Sequence, residues 1–341
     1  MPIKFKRSLQ LSQFLDPTKN FEPTSLPIEF RIDPLTRHTS VICGARYRKP
    51  EKPDLSALLE KSPRATCPFC PGNVERVTTK FPSELFPEGR LRLNDAYVFP
   101  NLMPYMPYSA IVVISSEHFT ELCNFDQNTL TNAFLASQVY LKRISQYDAD
   151  AKYYTIDWNY LPPSASSIVH PHLQVFAGSL PTSYQGELLE ASQRYCEQNG
   201  TNFWSEFVAR EKRLGERYIR TIGNISWFTA FVSRGWLMDV MAIFEEANSV
   251  LNLSETDFAN FSQGLMSVLR YMNDQNFYSF NLAIYSGIVG QNYFWTQARI
   301  VPRFLFPPLD ASDAGSLRIL HDEFFNMQSP EVTCEHLREY F

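Results

Sequence analysis

The stretch SSIVHPHLQVF, residues 166–176, holds two of the six histidines of a 341-residue chain, at alternate positions, with a glutamine two places further on. Along an extended strand successive side chains point to opposite faces. His170, His172 and Gln174 therefore share one face, and Pro171, Leu173 and Val175 share the other. Three polar groups stepped along one face suit two kinds of chemistry: holding a metal ion, or handling a phosphate. A neutral imidazole is nucleophilic at physiological pH and leaves readily once protonated, so it can carry a transferred group. The bland alternative is a polar stripe facing solvent. Pro171 has no N–H to give to a ladder, which predicts an edge strand or a local irregularity here.

A second chemical signal is ATCPFCPGN, in which Cys67 and Cys70 stand two residues apart among prolines and a glycine. Such a knuckle turns both thiolates toward one ion. A closed zinc site needs four ligands, and the candidates for the other two are His170 and His118, the latter at the end of the apolar strand in VVISSEHFTEL. The rival reading, a redox pair, wants the motif to open a helix in a βαβ unit; Pro68, Pro71 and Gly72 do not suggest one. Cys43, Cys123, Cys196 and Cys334 read as buried thiols. Six scattered cysteines fit a reducing, cytoplasmic setting with a metal site rather than a disulfide framework. His38, His321 and His336 have no paired partner and read as surface or structural histidines. Glu187 and Glu190 read as solvated helix residues.

The elements that must position these groups follow from periodicity. HTSVICGARYR carries a short strand pattern. YSAIVVISS (Tyr108–Ser116) reads as a buried strand, and FDQNTLTNAFLASQVYLKRISQY has apolar residues near helical spacing. AKYYTIDWNY alternates like a strand, the segment ending in LQVFAG is another, and a charged helical segment spans Glu206–Arg220. The order then recurs. WLMDVMAIFEEANSVLNLSETDFANFSQGLMSVLRYM repeats strand, turn and helix. FYSFNLAIYS resembles AKYYTIDWNY, and YFWTQARIVPRF falls where the HPH stretch fell. Such self-similarity outranks local propensity. It predicts an α+β chain of two tandem half-units, residues 1–185 and 186–341, each an antiparallel sheet with packed helices. Setting VHPHLQVF against FWTQARIV places His170 on Trp295, His172 on Gln297 and Gln174 on Arg299, so only the first copy keeps the histidines.

Bulk composition narrows the function. With 44% hydrophobic and 20% charged residues and a net charge of -5, the chain reads as a soluble globular protein without a general nucleic-acid surface. No apolar run approaches a membrane span, and the start is too polar for a signal peptide.

Taken together, these motifs resemble the galactose-1-phosphate uridylyltransferase family, the transferase branch of the histidine-triad superfamily. RIDPLTRHTSVICGARYRKP resembles its N-terminal stretch, CPFCPGN its zinc knuckle, AYVFPNLMP its "VFxND" segment, and DWNY with SSIVHPHLQ its nucleophile signature; SPEVTCEHLRE resembles its C-terminal helix. The resemblance implies a structural zinc on Cys67, Cys70, His118 and His170, with His172 as nucleophile and Gln174 as its phosphate-binding companion. It implies substrate contacts at Arg46, Asn101, Asn159 and Ser167. The implied reaction moves a nucleoside monophosphate between a nucleotide sugar and a sugar 1-phosphate through a covalent nucleotidyl-histidine. A homodimer is compatible with the family. Departures stand out: Leu173 replaces a glycine, Leu102 replaces the Asp of the "ND" pair, and Gln297 and Arg299 replace the second-half H-x-H that binds an accessory metal in some members. QARIVPRF also resembles the nucleoside-diphosphate-sugar and dinucleoside-polyphosphate phosphorylases of the superfamily. Those phosphorylases, and a non-catalytic zinc-stabilised nucleotide-binding protein, are the alternative readings.

Overall fold

The computed structural model describes residues 3–341. Strands β1 (Lys6–Asp16), β2 (Glu22–Ile32) and β3 (Thr39–Ile42) lead into β4 (Leu91–Leu93), β5 (Ala96–Pro100) and β6 (Tyr108–Val113). Helix α1 (Gln127–Tyr147), β7 (Tyr153–Tyr160) and β8 (His172–Gly178) complete the first stretch. Helices α2 (Ser183–Asn199) and α3 (Phe203–Leu214) bridge to β9 (Tyr218–Ile222), β10 (Ile225–Thr229) and β11 (Val240–Phe244). Then come α4 (Glu255–Asp274), β12 (Phe280–Tyr285), β13 (Gln297–Pro302), β14 (Phe324–Asn326) and α5 (Pro330–Leu337).

Ten strands form one antiparallel sheet in the order β4-β5-β6-β8-β7-β12-β13-β11-β10-β9. Read from its centre outward, the order is the same on both sides: β7, β8, β6, β5, β4 on one flank and β12, β13, β11, β10, β9 on the other. The α+β class is as expected, but the two stretches do not build separate sheets. They join at a β7·β12 seam, where Asn159 lies opposite Asn281 and Asp157 opposite Ala283.

The sheet's two faces have different jobs. Leu173 and Val175 of β8, Ile156 and Trp158 of β7, and Leu282 and Ile284 of β12 point back into the main apolar core. There α1 and α4 cover them, with Phe134 stacked on Phe258. Each helix starts on a side-chain cap: Asp126 accepts from the N–H groups of Asn128 and Thr129, and Ser254 with Asp257 forms a reciprocal capping box. Gly264 of α4 lies against the Trp227 indole so closely that a Cβ would sit 2.4 Å from ring carbon, which is why this turn of helix carries no side chain. On the front face, α2 and α3 cover the β10–β11 flank through Leu188, Phe203, Trp204 and Phe207. The cysteine knuckle covers the β5–β6 flank with Phe69, Phe99, Ile111 and Val113.

A second sheet, β1-β2-β3-β14, sits beside the first. Arg31 of β2 ties it to the C-terminal helix through both carboxylate oxygens of Glu331, at 2.8 and 2.9 Å, and Arg217 reaches the same carboxylate at 2.8 Å. Burial alone would raise Glu331, but these two guanidiniums win and hold it down at about 2.

Two expectations change here. The charged helix ends at Leu214, not Arg220, because Gly215 adopts φ 69° and closes it, and Tyr218–Ile222 is strand β9. The HPH strand is no edge: β8 lies between β6 and β7, and Pro171 precedes its first residue, offering only its carbonyl to the Ile114 N–H. Among the described residues no helix is long and apolar enough to cross a membrane.

Candidate active site and metal centre

Strands β6 and β8 are neighbours, so the loops at their adjacent ends deliver His118 and His170 to the same place. There the Cys67 and Cys70 sulfurs and the two imidazoles have ligand atoms all within 4.8 Å of one another. Cys67 Sγ is 3.7 Å from His170 Nδ1, and Cys70 Sγ is 3.5 Å from His170 Nδ1 and 3.4 Å from His118 Nδ1. A tetrahedral zinc with Zn–S about 2.3 Å and Zn–N about 2.0–2.1 Å would separate sulfur from nitrogen by about 3.5 Å. Both Nε2 atoms are engaged by backbone carbonyls, His118 with Ser62 at 2.6 Å and His170 with Ser115 at 2.8 Å. That fixes the tautomer in which Nδ1 offers its lone pair, the outer-shell arrangement of zinc histidines. Burial pushes His170 down to about 4, so it is the neutral imidazole a metal requires. The four side chains fit a structural zinc, and with four protein ligands no position is left for water.

His172 opens β8 on the front face. Its Nδ1 is 2.8 Å from the His170 carbonyl, and a carbonyl can only accept, so Nδ1 carries the proton and the Nε2 lone pair is free. Burial pushes this histidine's pKa down, against that hydrogen bond, which keeps it neutral. The Phe69 ring packs edge-on at 5.1 Å between centroids and fixes the imidazole plane. Two residues along, Gln174 is half-buried on the same face.

Asn159 lies on that face of β7, held by a chain of hydrogen bonds from the other side of the seam. Asp313 pairs with Arg303 at 2.7–3.0 Å, Arg303 donates to Asn281 Oδ1 at 2.8 Å, and Asn281 Nδ2 donates to Asn159 Oδ1 at 2.6 Å. The carbonyl end of Asn159 is thus committed and its N–H groups remain for another acceptor. Sequence reasoning missed this chain, and also Asp157. Asp157 pairs across strands with Gln174, and among the described residues its carboxylate accepts one side-chain hydrogen bond, from the Thr155 hydroxyl at 3.2 Å. Burial pushes Asp157 up to about 7, against the lowering effect of that bond. A polar residue inside an otherwise apolar, aromatic strand was the available signal in both TIDWNY and SFNLAIY.

The remaining expected residues are spread more widely. Asn101 follows β5 and uses its Oδ1 on the Met103 N–H at 3.1 Å; beyond it Leu102, Met103 and Tyr105 are exposed, Tyr105 against Phe176 of β8. Ser167 is exposed in the turn before His170. Arg46 stands apart, in a cleft of about 300 Å³ shared with Arg234, Trp236, Arg318 and Phe325, its guanidinium 5.3 Å from the Phe325 ring. None of the residues around His172 lines that cleft. His38 is not unpaired: it sits 2.6 Å from Glu187 and 3.1 Å from Asp322, so Glu187 is not merely solvated. Of the four thiols expected to be buried, only Cys334 is; Cys123 is exposed and Cys43 and Cys196 are half-buried.

No family model matches the sequence. Among solved structures, an Arabidopsis thaliana ADP-glucose phosphorylase with bound ADP-glucose superposes with a TM-score of 0.71 at 17% identity, over 92% of this chain and 99% of that one. A uridylyltransferase gives 0.67 at 16% identity, over 91% and 97%. In sequence, an uncharacterized protein of Archaeoglobus fulgidus is 30% identical over 342 residues, 99% of this chain and 98% of that one. The chain belongs to one family with the Archaeoglobus fulgidus protein, and it shares its fold with the ADP-glucose phosphorylase and the uridylyltransferase.

Proposed function

We propose that this protein is a nucleotidyltransferase that moves a nucleoside monophosphate between phosphate groups through His172. The observation that carries the reading is the free Nε2 of a neutral, plane-locked His172 on a face shared with the amides of Gln174 and Asn159. Nε2 attacks the α-phosphorus of a nucleotide sugar. The N–P bond forms as the bond to the bridging oxygen breaks, and the sugar 1-phosphate leaves with that electron pair. An incoming phosphate oxygen then attacks the same phosphorus, and the imidazole departs with its lone pair restored. Negative charge builds on the non-bridging oxygens, where donors aimed in advance stabilise the transition state. In this reading Gln174 and Asn159 supply N–H groups and Ser167 and Asn101 contact the nucleoside, whereas Arg46, in its separate cleft, takes no part at His172. Zinc on Cys67, Cys70, His118 and His170 would anchor the loop from which β8 starts. The mirrored strand order supports descent of residues 1–185 and 186–341 from one duplicated unit.

The donor is read as a nucleotide sugar and the acceptor as a sugar 1-phosphate. A phosphorylase using inorganic phosphate is the second reading, favoured by Leu173 and Leu102, which depart from the uridylyltransferase pattern, and by the fold shared with an ADP-glucose phosphorylase. The test incubates the protein with labelled UDP-glucose, ADP-glucose or a dinucleoside tetraphosphate and follows acid-labile label on the chain. Label on the natural protein and none on His172→Gly, with fold and zinc retained, is the expected result. His172→Gly labelled at the natural rate places the nucleophile elsewhere, and no label from any donor favours a binding protein without turnover.

A further inference from the structure

Strand β1 of the β1–β2 hairpin is almost wholly uncovered. Every residue of β1 from Lys6 to Leu15 is exposed, among them Leu9 at 65%, Leu11 at 58% and Leu15 at 60%. A two-stranded ribbon with both faces wet is marginal by itself, and an exposed edge strand is a template for pairing with another chain.

Its two edges are treated differently. β2 pairs with β3 only over Glu29–Ile32, and the rest of its outer edge carries Pro23 and Pro27, which face Leu15 and Leu11 of β1. Proline has no N–H for β1, so these are the non-hydrogen-bonded positions of the ladder and the missing donors fall on the outer edge, which is thereby blunted. The same register points the N–H and C=O of Arg7, Leu9, Leu11, Gln13 and Leu15 outward from β1. No proline or bulge blocks that edge over eleven residues, roughly 37 Å at 3.4 Å per residue.

We infer that β1 is the docking edge for a second copy of this chain, β1 pairing antiparallel with its counterpart about a two-fold axis at Leu11. Full overlap of two eleven-residue strands fixes this register, with Lys6 opposite the partner's Asp16 and Leu11 opposite the partner's Leu11. The charges agree with it: Lys6 and Arg7 lie at one end of β1, and Asp16 and its cross-strand neighbour Glu22 at the other, so the basic end of each copy meets the acidic end of the other. The outward groups of Leu11 then form a hydrogen-bonded pair on the axis. Leu9, Leu11 and Leu15 join Pro23 and Pro27 in an apolar surface shared by a four-stranded ribbon of β2, β1 and their two counterparts. Such an interface is isologous, as a closed two-fold dimer requires.

Sedimentation velocity of the full chain through the micromolar range reads this directly. The natural protein should have twice its 39.4 kDa chain mass. Leu11→Pro removes an N–H that faces outward, so the hairpin keeps its own ladder while the pair on the axis is lost. Leu11→Lys keeps the N–H and sets two ammonium groups against each other. Both variants should fall to the single-chain mass with unchanged circular dichroism. A single-chain mass for the natural protein, or a two-chain mass that both variants keep, overturns the inference.

Discussion

β8 and β13 occupy mirrored places in one sheet, and each opens with a polar residue on the front face followed two places on by another. In β8 these are His172 and Gln174; in β13 they are Gln297 and Arg299. Their surroundings are opposite. His172 keeps a free Nε2, and Gln174 is within reach of solvent. Arg299 is buried and spent within the protein: Asp239 takes two of its bonds, at 2.6 and 3.1 Å, Tyr184 Oη a third at 2.7 Å and the Val232 carbonyl a fourth at 3.0 Å. The lesson is that one backbone position can serve chemistry or stability according to whether its polar groups find partners inside the fold. Covering helices decide which. α2 and α3 close the front of the β10–β11 flank, whereas His172 of β8 is met there by Phe69 of the knuckle.

The contrast can be broken most decisively at the two opening residues. His172→Gly should abolish labelling, whereas Gln297→Ala should leave the labelling rate as it is; equal losses would mean that both halves act. Next in size is the ion pair. Asp239→Ala leaves the Arg299 charge buried and unpaired, which costs about 3–5 kcal/mol, read as a fall in the denaturant midpoint with zinc content unchanged. Replacing both partners together, as Asp239→Leu with Arg299→Met, should recover most of that loss.

Gln174→Ala comes third. It should slow transfer by about 2–4 kcal/mol in barrier, the size of one lost oxyanion donor, and leave the melting temperature alone, the reverse of the Asp239 result. The smallest effect concerns Asp157. Its folded pKa of about 7 lies above the ordinary carboxyl value of 3.8. The unfolded chain therefore releases this proton first, and the residue's contribution to stability is fully present below about pH 4 and lost as pH rises toward 7. Asp157→Asn should flatten that part of the stability–pH curve and raise the melting temperature by a few degrees at pH 8 but not at pH 4. A slope unchanged by the substitution would show that another group sets it.

Local pattern made much of this architecture legible. The apolar run at Tyr108 became β6, the helical spacing after Asp126 became α1, and the recurrence of strand, helix and strand matches the mirrored order of the sheet. The knuckle and its two histidines were readable because metal ligation restricts both residue type and spacing. The seam was not readable: alternation says which face a residue takes, but not which strand lies beside it. For that reason the Asp313–Arg303–Asn281–Asn159 chain and the Asp239–Arg299 pair escaped notice, since their members are 10–122 residues apart and gain meaning only through strand pairing. The β1–β2 hairpin also went unseen in a segment punctuated by Pro and Arg, where prolines that end most strands here sit on the outer side of one.

The β7·β12 seam has a dynamic consequence. Six backbone pairings and the Asn159–Asn281 bridge couple the flanks at the sheet's centre, the place farthest from fraying ends. Amide protons of β7, β8, β12 and β13 should therefore exchange with solvent only when the whole molecule opens, while those of β4 and β9, at the margins, exchange through small local openings. His172, at the head of β8, should then ride on the slowest-exchanging part of the chain. In the proposed reaction, whatever moves must be the ligand and the loops around it, because the strand bearing His172 has no cheap way to yield.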